Sequence, residues 1–499
     1  MGRVLRWYDY VAINIQWLGL NTATGTITPL LLPFLVALFV PPDRKNTYLA
    51  TVRVISLAVA MAVQPTAGLL CDRSTLSWGR RRPYIVAGSA GSLLFLVAIG
   101  TSSLWLGTDL GRWLQPLAGV SAAYAVLLVG IVLWQASSNV SQGALQGLIP
   151  DLVPTDQRGR ASGVKSVMEL LPVLVIIFIG PLLDAGEIVL ILAIVAGVLI
   201  LTTLITTLSV HEEPLREKPD GIIRSQVRRL VGLAAIFVGI TQAGIWLIRQ
   251  GTRLLTAWDA TTSVQVVVIG LFGLAGMVGA IVAGVHLGIR VGIGPEYRRH
   301  RSFVWWVTNR LLFLAAVGSI QGFMLYYVGD VHNVSNAGAL TTTVLVAVAA
   351  FLVPSALAGG YLSDRVGRRR LVALAGLVAA LGALLLILAR SVPALIVSAS
   401  ALGGATGLFM STNWALGTDL VPAGEAGKYL GISNLAGAGA GIVGVGIGGP
   451  MADSFNLLRP GLGYLVVFGV YGLLFLLSAV ALTQVVPPQG STQRGVAPA

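Results

Sequence analysis

Apolar residues run almost unbroken in stretches of about 20 or more, and short turns between them carry most of the charge. Between charged or Pro/Gly turns, apolar segments lie near 10–40, 47–71, 83–103, 117–149, 160–183 and 187–209. A polar linker follows at about 210–229, and a second series lies near 303–328, 338–362, 371–389, 392–419, 428–451 and 462–485. Two further apolar runs, about 230–248 and 263–289, stand between the series. A helix rises about 1.5 Å per residue, so about 20 apolar residues cross the hydrocarbon core of a bilayer. Segments of about ten residues with alternating polarity, the pattern of a membrane barrel, are absent, so helices are predicted. The pattern predicts an all-α polytopic membrane protein with about 14 transmembrane helices: six, an inserted pair, and six.

Composition supports this. Of 499 residues, 55% are hydrophobic and 11% charged, where a soluble domain carries about 25% charged residues. The first run is too long for a cleavable signal and lacks a small-residue cleavage site, so it is expected to be a span. Cys71 is the only cysteine, which excludes an internal disulfide. The net charge of +13 would suit a nucleic-acid binder, but Lys and Arg are spread over short turns and form no soluble basic domain. Nucleic acid is therefore excluded as a partner, and the charge reads as topology. With the N-terminus inside, the outer turns hold only Arg44, Lys45, Arg112, Arg249, Arg253, Arg390 and Arg459, and the other turn bases fall inside. Both termini are expected in the cytoplasm, in the cell membrane. Removing the inserted pair would not invert either half.

Several motifs occur once in each half. Residues 68–82 read Gly-Leu-Leu-Cys-Asp-Arg-Ser-Thr-Leu-Ser-Trp-Gly-Arg-Arg-Arg, and residues 359–370 read Gly-Gly-Tyr-Leu-Ser-Asp-Arg-Val-Gly-Arg-Arg-Arg. Residues 151–154 and 419–422 both read Asp-Leu-Val-Pro, each at the turn after the fourth span of its half. The fifth spans end alike, in Gly180-Pro181…Asp184 and Gly449-Pro450…Asp453. The duplicated Asp-Arg…Gly-Arg-Arg-Arg turn resembles the signature loop of the major facilitator superfamily, which lies on the cytoplasmic side between the second and third helices of each half. That resemblance implies two six-helix bundles related as parallel repeats, with substrate bound near the midplane between them. It also implies a gating role for Asp72, Arg73 and Arg80, with Asp364, Arg365 and Arg368 as counterparts. The plainer alternative is that the arginines only fix topology and bind anionic lipid headgroups.

Ser74-Thr75-Leu76-Ser77-Trp78-Gly79-Arg80-Arg81-Arg82-Pro83-Tyr84-Ile85 and Asn139-Val140-Ser141-Gln142-Gly143…Asp151-Leu152 resemble the sucrose–proton symporters and the related glycoside/cation symporters. This closer resemblance spans about 68–160. In the plant members an Asp four residues before that Asn and an Arg four residues after that Gln serve proton coupling and sugar binding. Here Gln135 and Gln146 stand at those positions. Amides still hydrogen-bond sugar hydroxyls but carry no proton.

Charge for coupling must then come from elsewhere. Lys165 and Glu169 stand one helical turn apart in the fifth span and can pair. Glu169 is the candidate proton carrier, against a structural role as partner of Lys165. Arg310 lies about two turns into the seventh family span, where an intramembrane charge should face a cavity or a partner. The alternative is that it snorkels to the inner headgroups. Polar residues of the first and fourth spans of each half are candidate lining: Asn14, Gln16, Asn21, Thr24 and Thr28, then Gln135, Asn139, Gln142 and Gln146, then Gln321, then Asn413 with Trp414. Asn139, Gln142 and Gln146 follow i, i+3, i+7 spacing and so share one helix face. Trp17 and Trp414 could stack on a sugar ring or serve only in packing. The glycine-rich eleventh span reads as a packing face.

No phosphate-cradling loop is present, and the four histidines show no metal-ligand spacing, so no cofactor, metal or catalytic residue is expected. The expected organisation is an N-terminal bundle over 1–209, a linker at 210–229, an inserted pair with a basic turn over 230–302, a C-terminal bundle over 303–485 and a tail at 486–499. The expected function is secondary transport of a small polar solute such as a sugar or glycoside, by a monomer in contact with membrane lipid. Either H⁺ or Na⁺ is the candidate coupling ion. The alternatives are a 14-helix drug–proton antiporter, or a membrane receptor or enzyme of the same fold.

Overall fold

The computed structural model describes residues 5–108, 120–212, 223–293, 300–421 and 426–486. The middle of the linker, most of the basic turn before residue 300 and the C-terminal tail lie outside these. Among the described residues the chain is helical, with no strand. Thirteen helical stretches among the described residues are long and apolar enough to cross a membrane: six from Trp7–Phe39 to Ile188–Ser209, the pair Arg224–Ala257 and Thr262–Val291, and five more from Arg301–His332 to Leu462–Gln484. The glycine-rich helix Ala426–Leu458 fills the eleventh family position. The all-helical, polytopic fold expected from the apolar runs is the one observed.

Two compact units form, residues 1–234 with 322–343 and residues 235–321 with 344–499. In the first unit, helices approach through small residues. A Cβ on Gly143 would come within 2.5 Å of the Gln64 carbonyl and 3.1 Å of the Gly68 nitrogen, so Gly143 lets the second and fourth spans touch backbone to backbone. Close packing of this kind holds membrane helices together where lipid removes the hydrophobic driving force. The first span changes to a π-helical turn at Ile27–Leu31, around Pro29, whose missing N–H interrupts the regular ladder.

At the helix ends away from the arginine turns, Asp184 accepts hydrogen bonds from the backbone nitrogens of Gly338 and Ala339, both at 2.7 Å. These N–H groups open the helix Ala337–Val366, where a carboxylate is stabilised by the helix dipole. Close by in sequence, Lys45 pairs with Asp330 at 2.7 Å.

In the second unit, the inserted helix Thr262–Ile293 packs on Ala426–Leu458 and Leu462–Ala481. The Phe237 ring occupies the space above Gly439, where a Cβ would meet it at 2.6 Å. Ile447 lies against Gly244 in the same way. The inserted pair and the eleventh span thus exchange large side chains and glycines: Phe237 of the pair covers Gly439 of the span, and Ile447 of the span covers Gly244 of the pair. A Cβ on Gly407 would fall on the Leu352 carbonyl, so the eighth and tenth spans also meet through glycine.

Candidate functional site

Each arginine turn is clamped inside its own half. In the first half, Arg80 and Arg81 both pair with Asp151, and Arg80 Nε donates to it at 3.2 Å. The Arg81 side chain is only 6% exposed and also donates to Asp72 at 2.8 Å. Burial alone would lower the Arg81 guanidinium. The carboxylates of Asp151 and Asp72 more than offset this and raise it, so Arg81 stays charged. Gly147 makes room for it, since a Cβ there would coincide with the guanidinium. Arg82 donates to the Thr207 carbonyl in the last turn of the sixth span. Glu212, just past that span, accepts from the backbone nitrogens of Arg81 and Arg82 at 2.9 and 3.0 Å. Gly79 adopts φ +114°, and a Cβ there would lie 2.6 Å from the Glu212 carboxylate. Only glycine suits both demands.

The second half repeats the plan. Gly367 adopts φ +97° and caps the helix Arg368–Leu388. Arg368 donates to Asp419 at 2.7 Å and to the Ala415 carbonyl at 2.8 Å. Arg369 reaches the Thr483 carbonyl at 3.2 Å, in the final turn of the last span. In both halves the two repeated motifs, Gly-Arg-Arg-Arg and Asp-Leu-Val-Pro, hold each other. Arg365 lies over the Tyr361 ring at 4.4 Å. The side chain of Asp364 lies outside the described residues. Asp151, Asp419 and Glu212 were not among the expected site residues. The signal for the first two was present as the repeated Asp-Leu-Val-Pro.

In the fifth span, Lys165 Nζ stands 3.1 Å from Glu169 Oε1 and 4.4 Å from the centre of the Trp17 ring. Both side chains are about one third exposed. The fourth-span amides are spread over different environments. Asn139 is buried and donates to the Gln135 carbonyl of its own helix at 2.8 Å. Gln142 is half-buried and accepts from Gln64 at 3.4 Å. The helix ends at Leu145, so Gln146 sits exposed at its cap. Asn21 and Gln135 are half-buried and Gln321 is exposed. Asn14 and Gln16, by contrast, are fully buried, and Gln16 donates to Ser89 at 2.9 Å between helices.

Arg310 lies inside Arg301–His332 and is 6% exposed. Its guanidinium stands 5.1 Å from the Trp414 ring centre and 6.0 Å from that of Trp306. Nη1 donates to Asn413 Oδ1 at 3.4 Å. Asn413 is itself fixed: its Nδ2 donates to Asn309 Oδ1 at 2.7 Å, and Asn309 donates to Ser478 Oγ at 2.7 Å. The Trp306 indole donates to the Asn413 carbonyl at 2.9 Å. Two of the expected residues, Arg310 and Asn413, are thus brought into contact.

The family model of the Major Facilitator Superfamily matches residues 18–445 and 310–498. The chain belongs to this superfamily. It is a multi-pass membrane protein. It resembles a sucrose transport protein of Arabidopsis thaliana, 31% identical over 112 residues that make up 21% of this chain and 18% of that protein. It also resembles solute carrier family 45 member 4 of Homo sapiens, 29% identical over 141 residues, 28% of this chain and 17% of that one. The chain therefore spans only about a fifth of these curated relatives. Among solved structures, a D-xylose-proton symporter shares the fold with TM-score 0.62 and 16% identity, covering 97% of this chain and 98% of that one.

Away from the arginine turns, the described groups within the spans supply hydrogen-bonding amides, indole faces, the buried guanidinium of Arg310 and the Lys165–Glu169 pair. Among the described residues no three His, Cys, Asp or Glu side chains gather as a metal site would require.

Proposed function

We propose that this protein is a secondary transporter that carries a small hydroxylated solute, a sugar or a close relative, by alternating access. The observation that carries the reading is the duplicated turn, clamped to the ends of the fourth and sixth spans of its own half through Asp151 and Thr207, and through Asp419 and Thr483. Rocking of one bundle against another requires each bundle to move as one body, and these clamps supply that stiffness. The likeness to sucrose transport proteins supports a sugar as cargo. Six spans, an inserted pair and six spans form the working arrangement, with both termini in the cytoplasm by the distribution of basic residues. Asp72 and Arg73, with Asp364 and Arg365, set the rate of exchange between states. Asn21, Gln135, Asn139, Gln142, Gln146, Gln321 and Asn413 offer hydrogen bonds to hydroxyls, and Glu169 carries the coupling proton.

The test is uptake of radiolabelled sucrose, maltose and xylose into vesicles, with and without an imposed proton gradient. Saturable uptake of at least one sugar, driven uphill by the gradient, is expected. Uptake of lipophilic cations in exchange for protons, with none of the sugars moved, would favour the drug-antiporter alternative and reject the sugar reading.

A further inference from the structure

Arg310 poses a charge problem that its described neighbours leave unsolved. A guanidinium stripped of water needs a counter-charge and acceptors for its five N–H groups. Every group found around it is neutral. Asn413 accepts one hydrogen bond, at the long distance of 3.4 Å, and two indole rings face the cation. The Nε–H is buried without an acceptor, and no carboxylate among the described residues pairs with the group. Cation–π contacts return less than desolvation takes away. The arrangement lacks one negative charge and at least one hydrogen-bond acceptor.

The frame around this deficit is rigid. Asn413 is held by Asn309 and by the Trp306 indole, and Asn309 is held by Ser478. None of these can turn to supply charge. Trp414 is 37% exposed and presents a ring face beside the guanidinium, suited to the C–H face of a sugar ring. A single guanidinium matches a single negative charge, and a carboxylate offers it two oxygens in the matching geometry.

We propose that Arg310 recognises a carboxylate on the carried solute, which makes the substrate a hydroxylated monocarboxylate such as a uronic or aldonic acid. This inference rests on the transporter reading above and narrows its substrate class.

The test is uptake by the full chain in proteoliposomes at neutral pH. Labelled glucuronate, galacturonate and gluconate are compared with glucose, galactose, sucrose and glucose 6-phosphate. Saturable uptake of a carboxylate member is expected, with neutral members and the phosphate slower. R310Q should reduce that uptake about tenfold or more, the loss expected when charge-assisted hydrogen bonds are removed. R310K, which keeps the charge and loses the planar fork, should fall between. If R310Q fails to fold, competition in the wild-type protein decides: carboxylates should displace labelled glucuronate and neutral sugars should not.

Saturable uptake of neutral sugars alone, carboxylate uptake untouched by R310Q, or preference for the phosphate would overturn the carboxylate assignment. A neutral-only result would leave the transporter reading intact. Failure to move any member of the panel would remove both.

Discussion

Asp151→Asn is expected to destabilise the protein by about 3 kcal/mol, the lower end of the cost of breaking a buried ion pair. The reason lies in Arg81, whose side chain is 6% exposed and which takes its closest charge contact from Asp151. Asn keeps the shape and removes the charge, leaving Arg81 with only the more exposed Asp72. Asp419→Asn, the matching change in the second half, should cost no more than about 1 kcal/mol, because both partners there are about one third exposed. Thermal unfolding of the purified variants checks this. A melting temperature clearly lowered by D151N and nearly unchanged in D419N is expected. Equal effects would show that burial of Arg81 does not govern the clamp.

Glu169→Gln is expected to bring proton-driven accumulation down to the level reached by passive equilibration, while solute exchange continues near the wild-type rate. Gln135 and Gln146 cannot titrate, so an ionisable group must be found elsewhere for coupling. Glu169 is one third exposed and sits 3.1 Å from Lys165, whose ammonium is further held over Trp17. A carboxylate in such a pair can release its cation partner on protonation, and an amide cannot take up that proton. Exchange at equal concentration moves no net proton and so should survive. The measurement compares gradient-driven uptake with exchange in the same vesicles. Wild-type accumulation by E169Q would remove Glu169 from coupling.

The helical fold was legible because each apolar run is long enough to cross a bilayer and each turn is marked by charge or by Pro and Gly. The internal repeats were legible as repeats, but their meaning was not. Arg81 and Asp151 are seventy positions apart, and only folding shows that one repeated motif binds the other. Glu212, within a polar linker, carried no pattern that set it apart from its charged neighbours, yet it caps the nitrogens of Arg81 and Arg82. Lys165 and Glu169 were readable as a pair because a helix brings i and i+4 together. The contact of Arg310 with Asn413 was not, since it joins residues 103 positions apart. Periodicity cannot say whether a polar residue of a membrane helix meets a neighbouring helix or a solute. Gln16 meets Ser89, and Asn139 bonds to its own helix.

Entrance counterflow tests the carrier reading most directly. Proteoliposomes containing the purified protein are loaded with unlabelled sugar or sugar acid, then diluted into a trace of the same labelled compound. An alternating-access carrier should concentrate label inside transiently, with no ion gradient imposed, and then let it decay as the internal pool empties. Label that merely equilibrates, at a rate indifferent to the internal load, would contradict the account and point to a pore or to a protein that does not transport these compounds.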